Sequence, residues 1–231
     1  MNWSKAFEVI YEDNHIIIVN KQSGILTQGD QTGDLSLPDY VKQYLKQKYN
    51  KPGNVFAGVV HRLDRPVSGL VVLAKTSKGL ERMNEVFKNR QVKKTYWAVV
   101  GNKPENNQGK LIHYLKKDGK LNISKAHINE IPGSLRSELH YQLIGKNNDL
   151  FLLEVDPLTG RHHQIRSQLS AMGCPIAGDV KYGFPKSNYD ASICLHARRL
   201  EFDHPVKKEK VVCEAGLPDN PIWNKFAIFS N

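Results

Sequence analysis

The sequence predicts an α+β fold on a mixed, mostly antiparallel sheet, on three observations. Strand-length apolar segments come in neighbouring pairs joined by short polar turns. A few segments with helical spacing or helix-start chemistry are interspersed between those pairs. No internal repeat, low-complexity run or linker breaks the chain, so residues 1–231 read as one domain.

The elements follow in order. Phe7 to Tyr11 and His15 to Asn20 are two strands around an Asp13-Asn14 turn. A helix runs from Leu37 or Pro38 to about Lys48, with Pro38 near its first turn. Phe56 to Val60 reads as a strand leading into the turn His61 to Gly69, which Pro66 and Gly69 punctuate. Leu70 to Lys75 is a buried, β-branched strand. Ser77 is placed to cap a helix whose Leu80, Met83 and Phe87 share a face. Lys93 to Val100 is a strand with Tyr96, Ala98 and Val100 on one side and Thr95, Trp97 and Val99 on the other. Glu138 to Leu143 and Leu150 to Val155 form a strand pair across a polar connection. Pro157 to Gly160 is a loop, and a helix starts near Arg161, with Ile165, Leu169 and Met172 as its apolar face and Gly173 at its end. Strands around Ile193 to Ala197 and Lys210 to Ala215 close the order. Gly101 to Pro132, polar and lysine-rich, has the least recognisable pattern.

Composition narrows the function classes. Lys and Arg outnumber Asp and Glu by 33 to 23, a formal charge of +10, which favours polyanionic partners. The widely spaced Cys174, Cys194 and Cys213 offer neither a disulfide framework nor a CxxC half-site, and a reducing cytoplasm fits best. Met1 to Glu8 contains no apolar export core, and the longest apolar runs are too short to cross a bilayer. Charge alone is equally compatible with a nucleic-acid partner and with a merely soluble basic protein; no membrane and no protein partner are implied, and a monomer is the default state.

Three segments carry more polar, geometry-fixing residues than turns or helix ends require. In His61 to Gly69, the Asp64 carboxylate sits in a tight loop between strands, flanked by Arg62 and Arg65. That segment alone is equally compatible with a structural turn and solvated arginines. In Lys93 to Ala98, Tyr96 lies beside basic residues as a base-stacking ring would, although in isolation a core tyrosine is the better explanation. In Thr159 to Arg166, Gly160 opens a helix start that favours phosphate, and Arg161 and Arg166 project in different directions from one helix. A solvated basic face is the alternative. His162 and His163 make no metal site, since adjacent side chains point apart and no third ligand is near in sequence.

Together the segments resemble the RluA family of pseudouridine synthases. His61-Arg62-Leu63-Asp64-Arg65-Pro66-Val67-Ser68-Gly69, continuing to Thr76, is similar to that family's HRLD hallmark. Lys94 to Gly101 is similar to its K-x-Y-x-A-x-V-x-G strand. Leu158 to Arg166, with Gly178-Asp179-Val180-Lys181-Tyr182-Gly183, resembles its TGR-x-HQIR and GD-x-x-YG segments. Leu195-His196-Ala197 with Leu200, Phe202, His204 and Pro205 resembles its closing pattern, and Glu12-Asp13-Asn14 to Gly24 its opening. The likeness runs from about residue 8 to 206. Gln22 stands where proline is usual, a change expected to loosen the turn after Lys21, and Val67 stands where a hydroxyl residue is frequent. The small N-terminal RNA-binding domain of some relatives has no counterpart before the matched segments.

The resemblance implies the pseudouridine synthase fold, with helices flanking the sheet and an active-site cleft across it. It implies an RNA isomerase that breaks the uridine N1–C1′ bond, turns the uracil and joins C5 to C1′ in transfer RNA, ribosomal RNA or both. That change needs no redox cofactor and no metal. By the same resemblance Asp64 is the nucleophile, Arg166 the cation that keeps it ionised, and Tyr96 the ring that stacks on uracil and helps remove the C5 proton. Arg62 fills the space of the extracted base, Leu195 forms an apolar wall, and Arg161 and Lys75 contact phosphate. Two other classes fit parts of the pattern. A nucleoside hydrolase would release free uracil, and an RNA-binding protein without turnover would have no use for the Asp64 carboxylate.

Overall fold

The computed structural model describes residues 3–230, with the side chain of Ser230 excepted; the single-domain reading of 1–231 extends to residues 1, 2 and 231, outside the described ones. In chain order the elements are β1 (Phe7–Glu12), β2 (Ile16–Lys21), α1 (Leu37–Lys48), β3 (Gly58–Val59), β4 (Ser68–Ala74), α2 (Ser77–Lys88) and β5 (Val92–Val100). They continue as β6 (Gln108–Asp118), β7 (Ile123–His127), β8 (Leu135–Asn147), β9 (Leu150–Pro157), α3 (Gln164–Ala171), β10 (Leu195–Asp203), β11 (Lys210–Glu214) and α4 (Pro221–Asn224). The chain forms two compact units. The first runs to Lys94 and takes in Ala197–Pro218; the second comprises Thr95–His196 and the residues from Asp219 on.

In the first unit β2 lies between β1 and β4, β10 follows β4, β11 pairs with β10 and β3 with β4. Ile16 to Val19 and Leu70 to Ala74 are all 0% exposed. Strands covered on both faces are continuous apolar runs rather than alternating ones, which is how these two read in the sequence. Helix α1 starts where the Asp39 carboxylate accepts from the Ser36 N–H (3.0 Å) and hydroxyl (2.6 Å), with Pro38 in its first turn. The Asp39 carboxylate in the first turn and the proline both favour a helix start. The second unit orders its strands β5-β9-β8-β6-β7, each pair antiparallel. Its centre is Ala98 to Val100 against Leu152 and Leu153, all 0% exposed. The α+β, mostly antiparallel expectation holds.

Several boundaries differ from the sequence reading, each for a local reason. Only Gly58 and Val59 of the expected strand Phe56 to Val60 pair with β4. Thr76, not Ser77, caps α2, its hydroxyl accepting from the Gly79 N–H at 3.0 Å. Helix α3 starts at Gln164 rather than near Arg161, because His163 is left-handed (φ 52°, ψ 28°) and cannot continue a helix. Strand β8 is longer than Glu138 to Leu143, and β10 begins at Leu195 and runs on to Asp203. Strands β6 and β7 lie in the segment 101–132, where no element was foreseen. Gln22 does not loosen its turn: its N–H donates to the Ala6 carbonyl at 2.9 Å, a bond proline cannot make.

Gly69 fixes the start of β4. It has φ +113°, and a Cβ there would sit 2.5 Å from the Ala197 nitrogen and 2.8 Å from its carbonyl carbon. Gly69→Ala is expected to destabilise the protein by about 2–5 kcal/mol, combining backbone strain of ~1–2 kcal/mol with overpacking of ~1–3 kcal/mol. Denaturant titration measures this, and an unchanged midpoint would mean that the two strands separate freely.

Candidate active site

The loop between β3 and β4 carries the half-buried Asp64, and its backbone is held on three sides. The Val67 N–H donates to the Asp64 carbonyl at 3.0 Å, closing a turn over Arg65 and Pro66. The buried Thr27 hydroxyl donates to the Leu63 carbonyl (2.7 Å) and lies 3.2 Å from the Leu63 N–H, gripping the residue before Asp64. The Arg65 carbonyl accepts from the Gly24 N–H at 2.8 Å. A carboxylate on so constrained a turn is positioned in advance, as a reacting group must be. Arg65 faces away from chemistry, donating to the Gly24 carbonyl (3.0 Å) and pairing with Asp34 (2.7 Å). Arg62, in contrast, is exposed, and no described residue pairs with it. His61 is a structural member of the motif. Its Nε2 accepts the Val72 N–H at 3.0 Å, its ring stacks on Phe87 at 4.7 Å, and burial pushes its pKa down to about 3.

Lys21 lies under this loop, 0% exposed. Its ammonium donates to the carbonyls of Gln22 (3.0 Å), Ile25 (2.9 Å) and Arg65 (3.4 Å). Burial pushes its pKa down to about 7, while the nearby Asp64 charge pulls it up. The unfolded chain therefore binds more protons at this group between about pH 7 and its ordinary value near 10.5. The cost of burying a charged Lys21 is fully present below that window, so its contribution to stability rises with pH through it. We expect the stability of wild type minus that of Lys21→Met to increase from pH 7 to pH 9.5. Denaturant titrations at the two pH values check the slope, and a flat or falling difference contradicts the assignment.

In the second unit the TGR-x-HQIR and GD-x-x-YG segments form one cluster. Arg166, in α3 and 5% exposed, grips the buried Asp179 with two bonds, Nε to Oδ2 at 2.7 Å and Nη2 to Oδ1 at 2.9 Å. Its guanidinium carbon lies 5.0 Å from the Tyr182 ring centroid. His163 Nε2 is 3.1 Å from Arg166 Nη1, and His163 Nδ1 is 2.9 Å from the Tyr182 hydroxyl. Arginine only donates, so Nε2 accepts and the His163 proton sits on Nδ1. The Thr159 hydroxyl donates to the Gln164 side-chain oxygen (2.7 Å), which also accepts the Arg161 N–H (3.0 Å), while Gln164 Nε2 donates to the Glu138 carbonyl (3.0 Å). These bonds hold Thr159 to Arg161 as a turn ahead of the helix.

Arg161 therefore does not share a helix with Arg166. It is exposed in the preceding turn, whereas Arg166 is buried in α3. Nor do the two histidines point apart: the left-handed His163 stacks its ring on His162 at 3.8 Å. Among the described residues no group of three His, Cys, Asp or Glu side chains is placed to hold a metal ion.

Tyr96 is half-buried on β5, opposite Val155 of β9. Leu195 is 4% exposed at the start of β10. Lys75 is committed elsewhere: its ammonium lies 2.6 Å from Glu12 and donates to the Asp13 carbonyl at 2.6 Å. Burial raises the Glu12 pKa, but hydrogen bonds from Lys48, Lys75, Tyr49 and Tyr44 outweigh it and hold the carboxyl at about 2. Lys21, Thr27, Gln164 and Asp179 carry much of this geometry, yet sequence reasoning gave them no role. A buried arginine requires a carboxylate, and that requirement was the available signal for Asp179.

Comparison with known proteins shows the family to which the chain belongs. The profile of the family described as RNA pseudouridylate synthase matches residues 15–171. The ribosomal large subunit pseudouridine synthase C of Rickettsia bellii is 39% identical over 91% of this chain and 68% of its own length. The dual-specificity RNA pseudouridine synthase RluA of Haemophilus influenzae is 31% identical over 90% of this chain and 92% of its own length. The structure of human RNA pseudouridylate synthase domain containing 4 superimposes with a TM-score of 0.77, covering 96% of this chain and 90% of that one. At 24% identity it bears on the fold alone. This chain belongs to the RNA pseudouridylate synthase family. It is an RNA pseudouridine synthase of the RluA type, an isomerase that converts uridine in RNA to pseudouridine.

Proposed function

We propose that the enzyme extracts a specific uridine from structured ribosomal or transfer RNA and isomerises it with Asp64 as nucleophile. The observation that supports this best is the Asp64 turn, whose half-buried carboxylate is clamped through its neighbours by Thr27, Gly24 and Lys21. The N1–C1′ bond breaks, the uracil turns, C5 joins C1′, and the C5 proton leaves to water while N1, freed from C1′, takes up a proton from solvent. Tyr96 stacks on the uracil and assists loss of the C5 proton. Arg166 serves as the cation of the reaction, and Leu195 as an apolar wall. Exposed Arg62 takes the space of the extracted base, and Arg161 contacts phosphate. Lys75, already held by Glu12 and Asp13, is given no part in RNA contact. All of the described and matched segments act as one catalytic domain, working as a monomer in the cytoplasm without a protein partner.

Among the described residues no helix is long and apolar enough to cross a membrane. The relative at 39% identity is named for the ribosomal large subunit, which makes that RNA the first substrate to try. The test is to incubate purified enzyme with unmodified large-subunit ribosomal RNA and total transfer RNA, then map pseudouridine by carbodiimide modification and primer extension. One or a few new sites in either RNA are expected. Modification of uridines without regard to position would refute a specific structured target.

A further inference from the structure

We propose that the outer face of the β6–β7 hairpin is a phosphate-contact surface for the substrate RNA, centred on Lys116 and Lys125. The proposal rests on the reading of the chain as an RNA-modifying enzyme and adds where, beyond the reacting uridine, the RNA is held. In the β6–β7 register Lys116 stands directly opposite Lys125, and both are exposed. Like charges opposite one another in an antiparallel pair are unfavourable, so a hairpin selected for stability alone would not keep them there.

No described residue of the unit neutralises them. Strand alternation puts Lys110 and Tyr114 on the same face of β6, with Arg136 and Glu138 on the neighbouring β8. Glu138 is already shared by Lys110 and Arg136. Asp118, at the end of that face, is turned to the hairpin loop, where it accepts the N–H groups of Lys120 (3.0 Å) and Leu121 (3.1 Å). No ion pair involves Lys116 or Lys125 among the described residues. The opposite face of β6 is occupied: the Gln168 amide of α3 donates to the Leu111 carbonyl (3.2 Å) and approaches His113 (3.1 Å). The outer face is thus free while the inner one anchors the hairpin to α3.

A half-exposed aromatic completes the surface. Tyr114 lies opposite His127 in the register. Cations beside rings on an exposed strand face suit a sugar–phosphate backbone with an unpaired base nearby. The segment 101–132, otherwise without a role, becomes a substrate-gripping element.

The experiment is the double variant Lys116→Gln/Lys125→Gln, with Lys46→Gln/Lys51→Gln on and just after α1 as a charge-matched control. Binding to unmodified ribosomal RNA is measured at several salt concentrations in the Asp64→Asn background, so that the result does not depend on turnover. We expect Kd to rise several-fold and the slope of log K against log salt to fall by about 1.4–1.8, roughly 0.7–0.9 per lost phosphate contact. The control should change neither quantity comparably. Thermal stability of the double variant should stay level or rise, because a like-charge pair has gone. An unchanged Kd and salt slope would overturn the proposal, as would a loss of affinity matched by the control or explained by a fall in stability. Binding intact with no turnover by the otherwise wild-type enzyme would instead count against the proposed reaction.

Discussion

Asp64→Asn is expected to reduce pseudouridine formation by at least about 10³-fold, the scale on which removal of a covalent nucleophile acts. The amide is nearly isosteric, and backbone contacts of Leu63, Asp64, Arg65 and Val67 hold the turn in the variant as in wild type. Stability and RNA affinity should therefore stay within a few-fold of wild type. Single-turnover kinetics with a filter-binding titration separate the two effects. An Asp64→Asn enzyme turning over at a tenth of the wild-type rate would remove Asp64 from the nucleophile's role. A variant that fails to bind RNA would instead assign Asp64 to structure.

The second large effect lies away from that loop. Asp179→Asn should destabilise the protein by about 3–5 kcal/mol, because it leaves the buried Arg166 guanidinium without its bidentate carboxylate. It should also lower activity through Arg166, whose orientation depends on that grip together with His163 and Tyr182. Replacing Arg166 with lysine should not rescue the geometry, since a single ammonium cannot reproduce the two-pronged contact. Denaturant titration reads the first effect, and initial rates well below the unfolding transition read the second. A fully stable Asp179→Asn protein would show that the pair contributes nothing net.

The fold was legible where burial is two-sided or capping is chemical. Ile16 to Val19 and Leu70 to Ala74 are apolar throughout because both of their faces are covered. Helix α1 announced itself through Pro38, and the structure adds the Ser36–Asp39 contacts at its start. Strands β6 and β7 were invisible for the opposite reason. Their outer face is filled with Lys110, Tyr114, Lys116 and Lys125, so the alternation that marks a half-buried strand is diluted by charge. The late start of α3 follows from one left-handed histidine, a conformation that composition does not encode.

The site was legible to a different depth. Motifs pointed to Asp64, Arg166 and Tyr96 as individual residues, but not to the contacts that hold them. Lys21 touches the Asp64 loop from a distant strand, and Asp179 reaches Arg166 from a later loop. Such partners are set by tertiary packing, and the sequence separates them widely. The single change from the usual proline to Gln22 illustrates the same point. Its effect depends on whether Ala6 offers a carbonyl, and it does.

The most direct test of the central claim uses RNA carrying tritium at uridine C5, with ribosomal and transfer RNA as parallel substrates. Isomerisation predicts tritium release to water, matched one for one by pseudouridine in the nuclease digest, with the base retained in the chain. Free uracil in place of pseudouridine would make the enzyme a hydrolase. Neither release nor pseudouridine from either RNA, with folded and RNA-binding protein, would contradict the account.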